Sequence, residues 1–341
     1  MPDHRNAMPA ASGVVAEVGE HALIERIRQR LSPAPDWLIV DAGDDAAAVE
    51  PVRGELEVIT SDAVIDGVHV DRRFTPPAAI GHRAVAVNLS DLAAMGAKPR
   101  LMTLSLALPA DLPLADFDAL VDGALELAAR ERVRLVGGNI TRTPGPLMVD
   151  VTAIGSVPRR RVLRRAGAKP GDYVFVSGTV GDARAALALL SAGATAPPEL
   201  VARYLQPEPR TRLGALLARN RAATAAIDLS DGLADGLARL AEAGGVGFEV
   251  QAALLPVSDA ARGVFEARGA DPVREAIAGG DDYELLFTAR PRDGGRLRTA
   301  LQQCKSVRVT RIGVVTKDGG CTLVRPDGSR EPVTGGYEHF S

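Results

Sequence analysis

The sequence predicts a two-domain protein of the α/β or α+β class, on three observations. The chain has 341 residues, more than one ordinary core sustains and about right for two. Short β-branched runs alternate along it with longer runs of helical apolar spacing. Between Val157 and Asp172 the composition turns abruptly basic and rich in Gly and Pro (VPRRRVLRRAGAKPGD), which marks a boundary. The expected organisation is a disordered leader over 1–12, an N-terminal domain over 13–157 and a C-terminal domain over 158–341.

The elements follow in order. EHALIERIRQRL (20–31) carries apolar residues at helical spacing and is stopped by Ser32, Pro33 and Pro35. Leu38–Val40 reads as a strand entering an acidic Gly turn, and Leu56–Ser61 as a strand that ends at Asp62. Ala78–Met95 reads as a helix almost free of charge and stopped by Gly96, so it should be buried. Asn88 and Asp91, three residues apart, share one of its faces. A strand over Leu101–Leu108, a helix over Leu114–Arg130, a strand over Val133–Val136, a Gly-Gly turn and a strand over Leu147–Ile154 complete the first half.

The five arginines of the junction are compatible with a solvated linker. Past them come a strand over Tyr173–Ser177, a GTVGD turn, Ala-rich helices to about Asn220, a strand over Ala225–Leu229 and a helix over Gly232–Ala243. Strands near Tyr283–Thr288, Val307–Val315 and Cys321–Val324 surround a helix near Arg296–Gln302.

Composition excludes several classes. Forty Lys and Arg against 43 Asp and Glu leave a net charge of −3, so no global field holds a nucleic acid or an anionic membrane. One Trp, four Tyr and seven Phe are too few for a base-stacking platform. Cys304 and Cys321 have no partner at metal-ligand spacing, which points to a reducing cytoplasm. No apolar run reaches the roughly 18–20 residues of a membrane span. The chain lacks GxxxxGK[ST], GxGxxG after a strand, GxSxG and HExxH, and with them the mechanisms those motifs carry.

Carboxylates remain: Asp41, Asp44 and Asp45 in the first Gly turn, Asp62 and Asp66 after the second strand, Asp91 on the apolar helix, and Asp228, Asp231 and Asp235 in the second domain. Gathered together they would repel unless cations lay between them. Mg2+ takes one or two carboxylates with waters and substrate phosphates, so the economical inference is a multi-metal site for a nucleoside polyphosphate. Each cluster also has a plainer role. Asp44 and Asp45 suit a turn, Asp62 and Asp66 a turn or helix cap, and Ser230 or Asp231 the cap of the helix that follows. Residues 279–284 suit a turn into a strand. Asp91 is hardest to explain that way, because a carboxylate in an apolar helix is costly unless paired or metal-bound.

Eight segments together resemble the thiamine-monophosphate kinase family, in the superfamily of aminoimidazole ribonucleotide synthetase. They are GDDAAAV (43–49), ITSDAVIDGVHV (59–70), AVNLSDLAAMGAKP (86–99), GGNITR (137–142), GAKPGDYVFVSGTVGD (167–182), AIDLSDGLADGL (226–237), GGDDYELLFT (279–288) and GYEHF (336–340). The resemblance implies transfer of the γ-phosphoryl group of ATP to thiamine monophosphate without a covalent enzyme intermediate, assisted by several Mg2+ ions. It implies a homodimer in which N-terminal α/β domains pair, each a mixed sheet flanked by helices that binds ATP and Mg2+. The α+β C-terminal domain then completes the nucleotide and substrate site. Carried over by position, Asp45, Asp62, Asp91 and Asp228 resemble metal ligands, Thr60 and Ser61 metal-contacting positions, and Asp231 a ligand of a further ion. Gly138, Asn139, Arg165 and Ser230 resemble ATP contacts, and His69 a substrate contact.

Three positions depart from the family pattern. GGDTTR reads GGNITR, so Asn139 stands for a metal-binding Asp and is expected to weaken one Mg2+ or to coordinate through its amide oxygen. GGEDYEL carries Asp281 for Glu, one methylene shorter at a substrate contact. Thr334 and Gly335 stand where a bulky aromatic precedes the C-terminal Gly-Tyr, which leaves Tyr337 to face the thiamine rings. A different acceptor, or an impaired nucleotide-binding protein, is the alternative reading.

Overall fold

The computed structural model describes residues 12–337. The predicted leader, Ser12 apart, and the last residues of GYEHF lie outside that range. The first half runs α1 (Val15–Val18), α2 (Glu20–Arg28), β1 (Leu38–Val40), β2 (Ala48–Val49), β3 (Glu55–Ile65), α3 (Pro77–Ala94), β4 (Lys98–Pro109), α4 (Leu114–Arg130), β5 (Arg134–Thr143) and β6 (Met148–Pro158). The second runs β7 (Tyr173–Ser177), α5 (Asp182–Ser191), α6 (Pro198–Leu205), α7 (Thr211–Asn220), β8 (Ala225–Asp228), α8 (Leu233–Gly244), β9 (Gly247–Gln251), α9 (Asp259–Ala267), α10 (Pro272–Ala278), β10 (Leu285–Ala289), α11 (Gly294–Gln302), β11 (Val309–Thr316), β12 (Gly320–Val324) and β13 (Arg330–Pro332).

These elements form two compact units that do not follow chain order. One comprises the described part of Met1–Pro51 with Ser61–Val85 and Leu101–Thr152. The other comprises Val52–Thr60, Ala86–Arg100 and the described part of Ala153–Ser341. The chain passes from one to the other within β3, α3, β4 and β6.

A four-stranded sheet is ordered β3-β6-β4-β5, with β4 and β5 parallel. Helix α3 is as buried as its near-absence of charge predicts, and even its polar Arg83, Asn88 and Ser90 are buried. In the first unit it crosses α4 at two glycines. A Cβ on Gly81 would lie 1.9 Å from the Leu120 carbonyl oxygen, and one on Gly123 would lie 2.0 Å from that of Ala78. Backbone meets backbone there, a proximity only glycine allows.

Two sequence expectations fail in this sheet. The β3 strand does not end at Asp62 but continues to Ile65, because Val64 and Ile65 suit a strand and Asp62 sits on its exposed side. Gly137 and Gly138 form no turn, since β5 runs through them to Thr143. A Cβ on Gly138 would stand 1.9 Å from the Leu104 oxygen of β4, so the glycine serves close strand approach rather than chain reversal.

The second unit is built on a mixed seven-stranded sheet, β13-β12-β9-β11-β7-β10-β8, parallel only between β9 and β12 among the pairs described. Helices cover both faces. Leu286 packs with Leu233 and Leu237 of α8 and Ile277 of α10, whereas Leu285 and Phe287 pack with Leu213 and Leu217 of α7 and Leu297 of α11. This two-residue alternation within a wholly buried strand explains why Leu285, Leu286 and Phe287 are apolar in succession. The predicted mixed sheets flanked by helices are therefore present. Helices α1, α9 and α10 and strands β2, β9 and β13 are additions to the sequence reading. Among the described residues no helix is long and apolar enough to cross a membrane, and Cys304 and Cys321 are free.

Candidate active site

Two pairs of polar residues in the second unit meet at adjacent positions of α3. The Thr60 hydroxyl on β3 donates to Asp91 on α3. The neighbouring Ser90 donates to the Asp228 carboxylate at the end of β8, 2.8 Å away. Ser90 and Asp228 are both buried. Asp91 thus has a partner, which a carboxylate on so apolar a helix requires. The structure pairs Thr60 with Asp91, and Asp228 with Ser90, which the sequence reading missed. Its only signal there was a small hydroxyl beside Asp91 in NLSD.

A second set assembles through backbone contacts. The Asp281 N–H donates to the Ser230 carbonyl at 2.7 Å, the Tyr283 N–H to that of Leu229 at 2.9 Å, and the Tyr337 N–H to that of Asp231 at 3.1 Å. Segments 229–232, 279–284 and 335–337 therefore lie side by side, and Ser230, Asp231, Asp281 and Tyr337 with them. Ser230 and Asp231 do not cap α8: the residue at its N-terminus is Gly232, with no side-chain cap. Tyr337 is 51% exposed, and Thr334 is exposed as well.

The remaining predicted residues lie in the first unit, apart from Arg165, which is exposed in the second. Asp45 is exposed, and its N–H donates to the Asp44 carboxylate at 2.9 Å, the turn chemistry expected of this pair. Its neighbour Asp41 is taken up by Arg134, 2.5 Å away. Asp62 is exposed on β3, on the strand face that also carries Thr60. Ser61 points to the other face, its hydroxyl 2.9 Å from that of Thr152. His69 accepts the Ile65 N–H at Nδ1, 3.1 Å away, so a neutral ring carries its proton on Nε2. Gly138 and Asn139 sit on exposed parts of β5.

Among the described residues no three carboxylate, imidazole or thiolate groups form a metal cage by themselves. The donors present are oxygens of Thr60, Asp91 and Asp228, with Asp231 nearby in the chain. That set suits Mg2+, which needs only one or two carboxylates once waters and phosphates supply the rest.

Sequence reading also missed a buried charge cluster behind segment 279–284. Glu284 is wholly buried and receives Ser177, Arg203 and Arg210. Asp282 accepts the Gly181 N–H with both oxygens at 3.0 Å. Burial pushes the Asp282 carboxyl well above the usual range, against the opposing pull of that N–H and of Arg203.

Residues 43–157 match the AIR synthase related protein N-terminal domain and residues 169–325 its C-terminal domain. The chain is 40% identical over 335 residues to the thiamine-monophosphate kinase of Escherichia coli K12, covering 95% of this chain and 98% of that one. It resembles the crystal structure of thiamine-monophosphate kinase from Stenotrophomonas maltophilia K279a at a TM-score of 0.80 and 40% identity, over 92% of this chain and 98% of that one. AaThiL complexed with AMPPCP and TMP superposes at a TM-score of 0.74 and 31% identity, over 98% of this chain and 100% of that one. Both domains and nearly the whole length agree, and the chain belongs to the thiamine-monophosphate kinase family of AIR synthase related proteins.

Proposed function

We propose that the protein transfers the γ-phosphoryl group of ATP to the phosphate of thiamine monophosphate, giving thiamine diphosphate and ADP. The observation that carries this reading is full-length likeness to AaThiL, which was solved with AMPPCP and TMP. The 40% identity to the Escherichia coli thiamine-monophosphate kinase supports the same acceptor.

In the proposed reaction an oxygen of the acceptor phosphate bonds to the γ-phosphorus in line while the bond to the β-bridging oxygen breaks, and ADP leaves. A phosphate monoester has a second pKa of about 6, so the attacking oxygen is already ionised near neutral pH and needs no general base. The protein's task is then positioning and charge neutralisation. Asp45, Thr60, Ser61, Asp62, Asp91, Asn139, Asp228 and Asp231 are the proposed Mg2+-binding positions. Bound Mg2+ would offset charge on the polyphosphate as it redistributes. Ser90 orients Asp228, and Thr60 orients Asp91. Gly138, Asn139, Arg165 and Ser230 are assigned to ATP, and His69, Asp281, Thr334 and Tyr337 to the acceptor. Division of these roles between domains 13–157 and 158–341 belongs to the same proposal.

A homodimer in the cytoplasm completes it. Ile59 is 63% exposed on β3, an edge strand of the four-stranded sheet, and an apolar edge of that kind calls for a covering partner.

ADP release coupled to a reporter, with purified protein, MgATP and candidate acceptors, tests the reading. Turnover with thiamine monophosphate is expected, and Asp91→Asn should lower it by at least about 100-fold with the fold intact. Turnover only with another acceptor, or none, would overturn the assignment.

A further inference from the structure

Segment 279–284 has a backbone that does not hold itself. Asp281 has φ +68° and Tyr283 φ +49°, two left-handed residues separated by one, the second a bulky aromatic that strongly disfavours this region. The segment nevertheless sets Asp281 beside Ser230.

The charge cluster behind it supplies the restraint. Arg203 of α6 uses Nη2 twice, donating to the Asp282 carbonyl oxygen at 3.0 Å and to Glu284 Oε1 at 2.8 Å. Arg210 grips the same carboxylate from a second direction, with Nε 2.6 Å from Oε2. Ser177 accepts the Leu285 N–H at 2.9 Å and donates to Glu284. The Glu284 carbonyl accepts the Leu229 N–H at 2.8 Å. Even the space is reserved: a Cβ on Gly178 would lie 2.0 Å from Glu284 Oε1. On the other side Asp282 is fastened to the Gly181 N–H, and Gly181 has φ +87°.

Buried ion pairs contribute little net stability compared with apolar side chains of equal volume. What an apolar cluster lacks is direction: it cannot hold the Asp282 carbonyl or the Gly181 amide at a set angle. We propose that Glu284, gripped by Arg203 and Arg210, is a positioning device that locks segment 279–284 in its left-handed conformation and so fixes Asp281 toward the acceptor. The acceptor's identity rests on the function proposed above; the locking of the segment does not.

The test is Arg203→Met, which removes both donations, beside Arg203→Lys, which keeps the charge and a donor. Amide hydrogen exchange is followed at Asp281 and Tyr283, with Val174 and Val176 of β7 as internal references, together with steady-state kinetics. In Arg203→Met the two segment amides should exchange at least about tenfold faster while the β7 amides stay at wild-type rates. The KM for thiamine monophosphate should rise about tenfold, with the KM for ATP and kcat within about twofold, and Arg203→Lys should restore most of both. Unchanged exchange at Asp281 and Tyr283, or equal acceleration throughout the domain, would overturn the lock. Absence of turnover in the wild type would remove the acceptor assignment and leave exchange to decide the lock alone.

Discussion

Ser90→Ala probes the tie between α3 and β8 most directly. Ser90 has no exposed surface, Asp228 only 6%, and their hydrogen bond is 2.8 Å long. Removing the hydroxyl takes away a donor without adding bulk, and the carboxylate it served lies where replacement by bulk water is hindered. A hydrogen bond to a charged group contributes about 1.5–3 kcal/mol, so a loss of about 2 kcal/mol is expected. For a unit of this size about 2–4 °C accompanies each kcal/mol, which puts the fall in Tm at about 4–8 °C. Calorimetry or circular dichroism measures it, and a double-mutant cycle with Asp228→Asn isolates the pair at about 1–2 kcal/mol of coupling. A fall below about 1 °C with coupling under about 0.5 kcal/mol would refute the reasoning, for the contact would then carry no energy.

Gly81→Ala places a methyl 1.9 Å from the Leu120 carbonyl oxygen. Because neither backbone can yield, it should cost about 3 kcal/mol or more; Gly263→Ala in α9, with open space around it, should be neutral or gain about 0.5–1 kcal/mol in the same urea titration. Asp282→Asn tests the raised carboxyl pKa. A group whose pKa is higher folded than unfolded stabilises fully below its unfolded value, about 3.9, and loses that contribution as pH rises through the folded value. The stability of the variant relative to wild type should therefore climb with pH above about 4, and parallel stability–pH curves would contradict it. Asn139→Asp restores a carboxylate among the proposed Mg2+ positions and should lower the Mg2+ concentration needed for half-maximal ADP release. A higher requirement would count against that role.

Much of the fold was legible because its signals are local. The nearly charge-free run of α3, the apolar period of α4 over Leu114–Arg130 and the β-branched run of β7 each declare an element within a dozen or so residues. Misreadings arose where the deciding contact is remote. Gly137-Gly138 has the composition of a turn, yet the Leu104 backbone of β4 makes it a strand. Ser230 and Asp231 have the composition of a helix cap, but the chain bends so that their carbonyls accept from Asp281 and Tyr337 instead.

The same division holds for the site. By itself the sequence determined which chemistry is present: oxygen donors in eight family-like segments, two domains, too few aromatics for base stacking and no nucleophile motif. Residue type and short-range spacing suffice for that. Only the tertiary structure decided which groups meet: Ser90 with Asp228, Thr60 with Asp91, and Glu284 with two arginines from α6 and the start of α7. These partners stand tens to well over a hundred residues apart in the chain, and for Asp228 and Glu284 burial makes the pairing obligatory. A buried carboxylate must find a donor wherever the fold can bring one, and nothing in its immediate neighbours says where that donor is.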